Sequence, residues 1–352
     1  MSINLATKFS PKLDERYKVG SLTDVACGND YDWEGVNAIT VWNLLTDPLN
    51  DYDNTASANR FGNPSEVQDE SATYTLQKKR SFSKTFDVTN VQDQGFIKKA
   101  VNYLKQVWDE RYIPEIDKYR LKVWANGAGQ SKLDASALTK TTVVEALLNA
   151  MAALDDAGVP SENRYIFARS SIIVKYRLAD EFRTADGIMT KYVIKGQKGE
   201  VDGAPLISVP DSKMPAGVNF IVKYKKASAD PMKLKMLRAN NDAPGIAGTL
   251  MEGLCRYDSF VLANKADGIY VHAASGICTV PTIEIASNVA TRTAGSGETI
   301  KYTLDGTNPK TSASAATYNS GSKPTVPAGA TIMAYAEKSG LLNSGIASAV
   351  NA

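Results

Sequence analysis

Between residues 94 and 124 apolar side chains return every third or fourth position, or at twice that interval. Ile97, Val101, Leu104, Trp108, Ile116, Tyr119 and Val123 trace one stripe, the pattern of an amphipathic helix. Unbroken, that helix is roughly 45 Å long at about 1.5 Å per residue, a length suited to a strut. Pro114 lies inside it. A proline removes a backbone donor and crowds the preceding turn, so a kink or restart is expected there. Gly127 and Gly129 end the helix. A second helix opens at Thr142, whose spacing to Glu145 is that of a capping box. Val143, Val144, Leu147, Leu148, Met151 and Leu154 form its expected buried face, and Gly158 with Pro160 stops it.

Beyond this pair the spacing shortens. Arg164–Ala168 reads as a buried strand, Ser171–Leu178 as a helix, and Pro205–Val209, Val218–Tyr224, Lys233–Arg238, Tyr257–Ala263 and Gly268–His272 as further strands. Helices and strands mix without a regular βαβ repeat, so the fold class is α+β. Towards the N-terminus only Val36–Leu45 has apolar spacing for a short helix, and Asp51–Ser71 is polar loop. Tyr74, Leu76, Phe82 and Phe86 lie on alternating positions either side of Lys78-Lys79-Arg80, which predicts a hairpin with a basic tip and one apolar face. After residue 275 charge thins, and Gly, Ala, Ser and Thr make up more than half of the sequence. Short β-like runs at Thr282–Ile285, Thr299–Leu304 and Thr331–Glu337 predict a small all-β sandwich with its own core, joined through Ala273–Val280.

Composition narrows the function. The 352 residues are 43% hydrophobic and carry 40 Lys+Arg against 38 Asp+Glu, a formal charge of +2. This supports two or three ordered domains and gives no support to disorder or to a polybasic nucleic-acid binder. Three scattered cysteines and a single histidine, His272, argue against a disulfide framework and against His- or Cys-ligated metal. No apolar run reaches the roughly 20 residues of a membrane span, and Met1–Leu13 lacks the apolar region of a secretory signal. Ala125-Asn-Gly-Ala-Gly-Gln130 follows a helix, not a strand, so its glycines read as a helix stop and not as a phosphate cradle. His272 with Cys255 is the one conceivable nucleophile–base pair. Asp155-Asp156 and Asp109-Glu110 diverge on helices, and Lys223-Tyr-Lys-Lys226 with Lys233-Leu-Lys235 reads as a solvated strand face. No catalytic residue, cofactor or metal is assigned, and enzyme activity is not expected.

Four stretches taken in order carry a resemblance: Phe82-Ser-Lys-Thr-Phe-Asp87, Ile113-Pro-Glu-Ile-Asp-Lys-Tyr119, Thr142-Val-Val-Glu-Ala-Leu-Leu148 with Val159-Pro160, and Gly253-Leu-Cys-Arg-Tyr-Asp-Ser-Phe-Val-Leu262 with Lys265 and Ile269-Tyr270. Over about residues 1–272 the chain resembles the major capsid proteins of tailed bacteriophages, the Hong Kong 97-type fold. The resemblance implies an N-terminal arm (1–61), an extended hairpin loop (62–94), and peripheral and axial domains (95–275, axial about 126–250). It further implies hexamers and pentamers closing into an icosahedral shell around double-stranded genomic DNA held without sequence-specific contacts, with portal and decoration proteins as partners. The virion is then the location, after synthesis in the host cytoplasm, and Lys78, Lys79, Arg80, Phe82 and Phe86 are the candidate inter-subunit contacts. No cleaved scaffolding segment is expected.

Ile300-Lys-Tyr-Thr-Leu-Asp-Gly-Thr-Asn-Pro309, Tyr318, Pro327-Ala-Gly329 and Ile332-Met-Ala-Tyr-Ala336 resemble the immunoglobulin-like domain at the C-terminus of chitobiases and hexosaminidases. For residues 276–352 this implies an outward appendage on the shell, with Tyr302, Asp305 and Tyr335 as candidate glycan contacts and few contacts to the strut helix. The competing readings are a carbohydrate-binding accessory protein and an encapsulin-type compartment shell.

Overall fold

A six-stranded sheet with helices on both faces occupies the middle of the computed structural model, which describes residues 20–28, 31, 37–44, 51–55, 58–61, 66–67, 69–87, 100–179, 197–241, 244–245 and 247–351. The strand order is Gln130–Leu133, Ile269–Ala273, Val218–Tyr224, Arg164–Arg169, Ala204–Val209 and Gln197–Val201. Two of its pairings are parallel: Ile269–Ala273 with Gln130–Leu133, and Arg164–Arg169 with Ala204–Val209. The rest are antiparallel. Strand side chains alternate between faces, and here both faces are apolar. Phe167, Ile207, Ile221 and Val271 pack against Leu121, Trp124 and Ala125 of the strut helix Ile113–Gly127. Ile166, Ala168, Leu206, Phe220, Val222 and Tyr270 pack against the helices Val143–Asp156 and Ser170–Arg177. This double cover explains why these strands read as continuous apolar runs.

The strut is not a uniform rod. Ala100–Val107 is α-helical, Trp108–Tyr112 widens into a π-helical turn, and the α-helix resumes at Ile113 with Pro114 in its first turn. A proline has no N–H to return to the turn before it, and the wider turn accommodates the gap. Gln94 and Ile97 lie outside the described residues. In the helix Val143–Asp156 the expected capping box is not made. Thr142 gives no side-chain cap; its Oγ1 accepts from the Thr139 amide at 3.0 Å instead. The amide of Val143 bonds back to the Thr139 carbonyl, so a preceding turn already satisfies it. Leu148, expected in the buried face, is 48% exposed.

Three expectations toward the N-terminus and one near residue 260 are corrected. Ala38–Leu44 is a strand, not a helix, paired antiparallel with Asp69–Thr75. The β-branched run Ile39-Thr-Val41 favours extended backbone, and Ile39 and Val41 reach Tyr74, Leu76 and Leu262. Residues 69–71 at the end of the expected loop are therefore strand. Residues 74–86 do not form one hairpin: Lys78–Asp87 instead pairs along its length with Gly248–Tyr257, which pairs on its other side with Met232–Asn240. Lys78-Lys79-Arg80 thus opens a strand and is no tip. Leu76 and Gln77 separate the two strands, and the Gln77 amide bonds Asp258 Oδ2 at 2.7 Å. The strand expected at Tyr257–Ala263 is the end of Gly248–Tyr257, then the irregular pair Asp258-Ser259, then the two-residue strand Phe260–Val261.

After residue 275 the chain is all-β. The pair Thr282–Ala286 and Val289–Thr293 faces a four-stranded antiparallel sheet of Ala316–Thr317, Thr299–Thr303, Thr331–Glu337 and Ala347–Val350. Ala290, Val326 and Ile332 lie between them, so the core is small. No helix among the described residues is long and apolar enough to cross a membrane.

Two neighbouring leucines separate burial from periodicity. Leu147→Ala should destabilise the protein by about 2–5 kcal/mol, because Leu147 is fully enclosed. Leu148→Ala should stay within about 0.5 kcal/mol. Denaturant unfolding of both variants checks this, and equal losses would contradict the packing described.

Candidate assembly surfaces around the strut helix

The strut helix buries carboxylates and cations where its stripe would have them exposed. Asp117 is fully buried. It accepts from Ser21 Oγ at 2.8 Å, Thr23 Oγ1 at 2.7 Å, the amides of Leu22 and Thr23, and Lys213 Nζ at 2.9 Å. One turn on, Arg120 donates to Thr23 Oγ1 and Asp24. These contacts fasten residues 21–24 along the helix. Trp124 Nε1 donates to Asp230 at 3.0 Å, and Asp230 also accepts from Ser228, Ser259 and the Gly28 amide. Tyr119 donates to Asp258 at 2.6 Å. Lys223, assigned to a solvated face by its sequence, is instead fully buried. Its ammonium lies 4.5 Å from the Trp124 ring centroid and donates to the carbonyls of Ala26 and Lys225. Burial lowers its pKa to about 8.

The candidate inter-subunit residues partly face their own chain. Arg80 pairs with Glu115 of the strut helix, with both side chains about half exposed. Lys78 Nζ sits 5.0 Å over the Tyr119 ring. Phe82 packs against Tyr112 and Tyr103, and Phe86 lies 5.5 Å from Tyr103. Lys79 is exposed. Large apolar groups the sequence reading passed over are more open: Phe61 is 83% exposed, Trp42 68% and Tyr52 55%.

The other candidates resolve into packing. His272 stacks on Phe220 at 5.0 Å, and its Nδ1 is 3.2 Å from Asn219 Nδ2. Burial lowers its pKa. Cys255 lies in a different sheet and a different cluster, with Tyr112, Ile116 and Tyr257, so the two do not meet. Asp155 is not simply solvated: it pairs at 2.7 Å with the buried Arg164. Gly127 and Gly129 sit where the chain crosses closely. A Cβ on the first would fall 2.5 Å from Val261, and on the second 2.6 Å from the Asp267 amide.

In the C-terminal unit Tyr335 is buried, its hydroxyl donating to Glu337. Tyr302 lies over the Arg292 guanidinium, 3.9 Å from its ring centroid, and Tyr318 lies on the same cation at 5.0 Å. Arg292 is itself buried, with no hydrogen-bond partner on its side-chain nitrogens; burial lowers its pKa to about 10. Asp305 closes a turn, accepting from Thr307 and Ser314. Burial raises its pKa, but those hydrogen bonds outweigh it and hold the carboxyl below its ordinary value. The three residues do not combine into an open aromatic platform.

Nor does this unit stand apart from the strut, as its composition suggested. Ile277 and Leu342 are buried in the core beneath the strut helix, with Ile346 packed against it. The amides of Asn343, Gly345 and Ile346 bond Asn126 Oδ1, Ser131 Oγ and the Gly129 carbonyl. Lys310 and Asn308 reach back to Asn126, Ala128 and Ala263.

No protein-family model matches the sequence, and no curated protein matches it. Solved structures do share the fold. A Mycobacterium phage Che8 structure is 13% identical with a TM-score of 0.62, over 77% of this chain and 97% of that one. The capsid of the cyanophage P-SCSP1u is 12% identical with a TM-score of 0.59, over 76% and 92%. The mature capsid of bacteriophage PhiM1 is 10% identical with a TM-score of 0.60, over 77% and 92%. The chain therefore has a fold found in phage capsid structures.

Two tests follow from this geometry. Asp117→Ala leaves Lys213 without its carboxylate and should cost about 3–5 kcal/mol, whereas Arg80→Ala, at an exposed pair, should not measurably change the unfolding midpoint. A chain ending at Ser275 should lose stability and soluble yield, since Ile277 and Leu342 each contribute about 1.5–3 kcal/mol of burial. A truncated chain melting with the full chain would show that the docking is not needed.

Proposed function

We propose that this chain is the major capsid protein of a tailed bacteriophage, arranged in the Hong Kong 97-type manner. In this reading residues 1–61 form the arm, 62–94 the extended loop, and 95–275 the peripheral and axial domains, with the axial part near 126–250. Copies assemble as hexamers and pentamers into a shell around double-stranded DNA, with a portal at one vertex and decoration proteins as further partners. The C-terminal unit is an immunoglobulin-like domain on the outer face.

The shared fold with phage capsid structures carries this reading. Trp42, Tyr52 and Phe61 support it: large apolar groups left open on one extended region mark a surface that a partner covers. The strut network supports it as well, because a subunit bearing load in a shell needs its long helix fixed on several sides. The candidate glycan contacts gain no comparable support, since Tyr335 is buried and Tyr302 lies over Arg292.

Negative-stain electron microscopy of the purified chain should show closed polyhedral particles, and monodisperse monomers at high concentration would overturn the reading. Trp42→Ser and Lys79→Glu should leave the unfolding free energy within about 0.5 kcal/mol of the parent and lower particle yield. Lys79 is the better charge to reverse, because Lys78 and Arg80 already face the strut helix. Full particle yield from both variants would remove this surface from the interface.

A further inference from the structure

Between the strut helix and the C-terminal unit lies a cleft of about 670 Å³ lined by Lys78, Lys122, Lys310 and Lys338, and by no aspartate or glutamate. Asp258, next to the lining residue Ser259, is buried and accepts from Tyr119 and from the amides of Gln77 and Ser259. Asp267 acts on Lys310 from outside the lining. Lys310 donates to the carbonyls of Asn126 and Ala128, and Lys78 sits over the Tyr119 ring. Lys122 and Lys338 are exposed, the second donating to the Ser296 carbonyl. Cations of one sign gathered on a concave, low-dielectric wall focus a positive potential into the cleft.

The complementary surface lies elsewhere on the same chain. Residues 44–70, the far end of the strand pair Ala38–Leu44 and Asp69–Thr75 with its connection, hold six carboxylates, Asp47, Asp51, Asp53, Glu66, Asp69 and Glu70, against one cation, Arg60. There Tyr52 and Phe61 pack edge to face at 4.9 Å, and the Asp53 amide bonds the Arg60 carbonyl at 3.0 Å. Both rings are largely open, and Asp51 beside Tyr52 is exposed. This acidic, aromatic knuckle does not occupy its own cleft. Tyr74, at the base of the strand pair, lines the cleft, whereas residues 51–55 and 58–61 do not. From Thr75 to Asp69 the ladder leads away from that base for roughly 20 Å, at about 3.3 Å per residue.

Resting on the reading of the chain as a self-assembling shell protein, we propose that the knuckle of residues 51–61 on one copy seats in the lysine-lined cleft of a second copy. Asp51 meets the ammonium groups of Lys122 and Lys338, and Tyr52 with Phe61 covers the apolar part of the wall, Val123, Phe260 and Leu341. Opposite charges set register and encounter rate, and the covered rings supply the burial. A free phosphate or a nucleic-acid backbone would answer the charge but leave both rings open. The groove beside Arg80, Lys84 and Arg111 fits less well, because Glu115 lies in it and already pairs with Arg80. Lys338 and Leu341 belong to the C-terminal unit, so that unit completes the receiving surface.

Disulfide trapping on the full chain tests this. Cys27, Cys255 and Cys278 are buried, so thiols introduced at exposed positions are the reactive ones. Chains carrying Asp51→Cys are mixed with chains carrying Lys122→Cys, assembled and oxidised, and disulfides are located by peptide mass mapping. A disulfide between positions 51 and 122 then necessarily joins two copies. It should form in the mixture, fall in yield when salt is raised before oxidation, and be lost when Lys132→Cys, exposed on the edge strand Gln130–Leu133, replaces Lys122→Cys. Should Lys122→Cys not fold, Lys338→Cys on the facing unit takes its place. Closed particles without this disulfide overturn the proposal and leave the shell reading standing. Absence of particles and disulfide together overturns both, and the disulfide without closed particles keeps the docking and removes the shell. An equal yield from position 132, or a disulfide formed only when both substitutions lie in one chain, also overturns the proposal. Formaldehyde cross-linking of Lys122 to nucleic acid in place of the disulfide overturns it too and assigns the cleft to a phosphate backbone.

Discussion

Three buried carboxylates, Asp117 on the strut helix and Asp230 and Asp258 beside it, tie together segments that lie far apart in the chain. Asp117 gathers residues 21–23 and Lys213, Asp230 gathers Trp124, Ser228, Ser259 and Gly28, and Asp258 gathers Tyr119 and Gln77. A buried carboxylate is tolerable only when its lone pairs are used, and here they are used by segments far apart in the chain. The constraint runs both ways: each carboxylate needs those donors, and each segment lacks a large core of its own. The helix is thus a beam with fixed attachment points, and residues 21–28 are fastened to it both by polar contacts and by Leu22, Ala26 and Cys27, which are buried in the core beneath it.

The sheet provides the complementary rigidity. Its two faces are filled independently, one by the strut helix and the other by the helices Val143–Asp156 and Ser170–Arg177. A change on one face is felt on the other only through the strand backbones. The three-stranded sheet built on Lys78–Asp87 lies outside this double layer and meets the strut near its π-turn, where Phe82, Tyr112 and Trp108 pack together. The irregular turn and the second sheet are therefore packed together, and the helix passes from that sheet to the central one between Tyr119 and Leu121.

The C-terminal unit extends that beam. Its strands close a small core, yet the segment carrying Leu342–Ile346 crosses back to bond the residues just beyond the strut helix. The orientation of the unit is fixed by contacts at the helix end, where Gly345 lets its backbone approach that of residues 129–131.

The sequence by itself determined the elements whose signal is local. The apolar spacing of Leu104, Ile116 and Val123, the β-branched runs at Val218–Tyr224 and Thr331–Glu337, the stop at Gly158-Val-Pro160, and the change of composition near residue 275 all reflect interactions within a few residues. What only the tertiary structure decided is partnership. Strand pairing joins Lys78–Asp87 to Gly248–Tyr257, far away in the sequence, and no local pattern names that partner, so residues 74–86 read as a hairpin. Lys223 read as solvated because charge is ordinarily exposed; it is buried because the carbonyls of Ala26 and Lys225 and the Trp124 ring complete it, just as residues 21–24 and Lys213 complete the buried Asp117 and Arg120. Leu148 and the low-charge C-terminal segment show the converse. Apolar spacing could not tell which leucine meets the sheet, and composition could not tell that Ile277, Leu342 and Lys310 would meet the strut helix, because burial is a property of the surface that arrives from elsewhere in the chain.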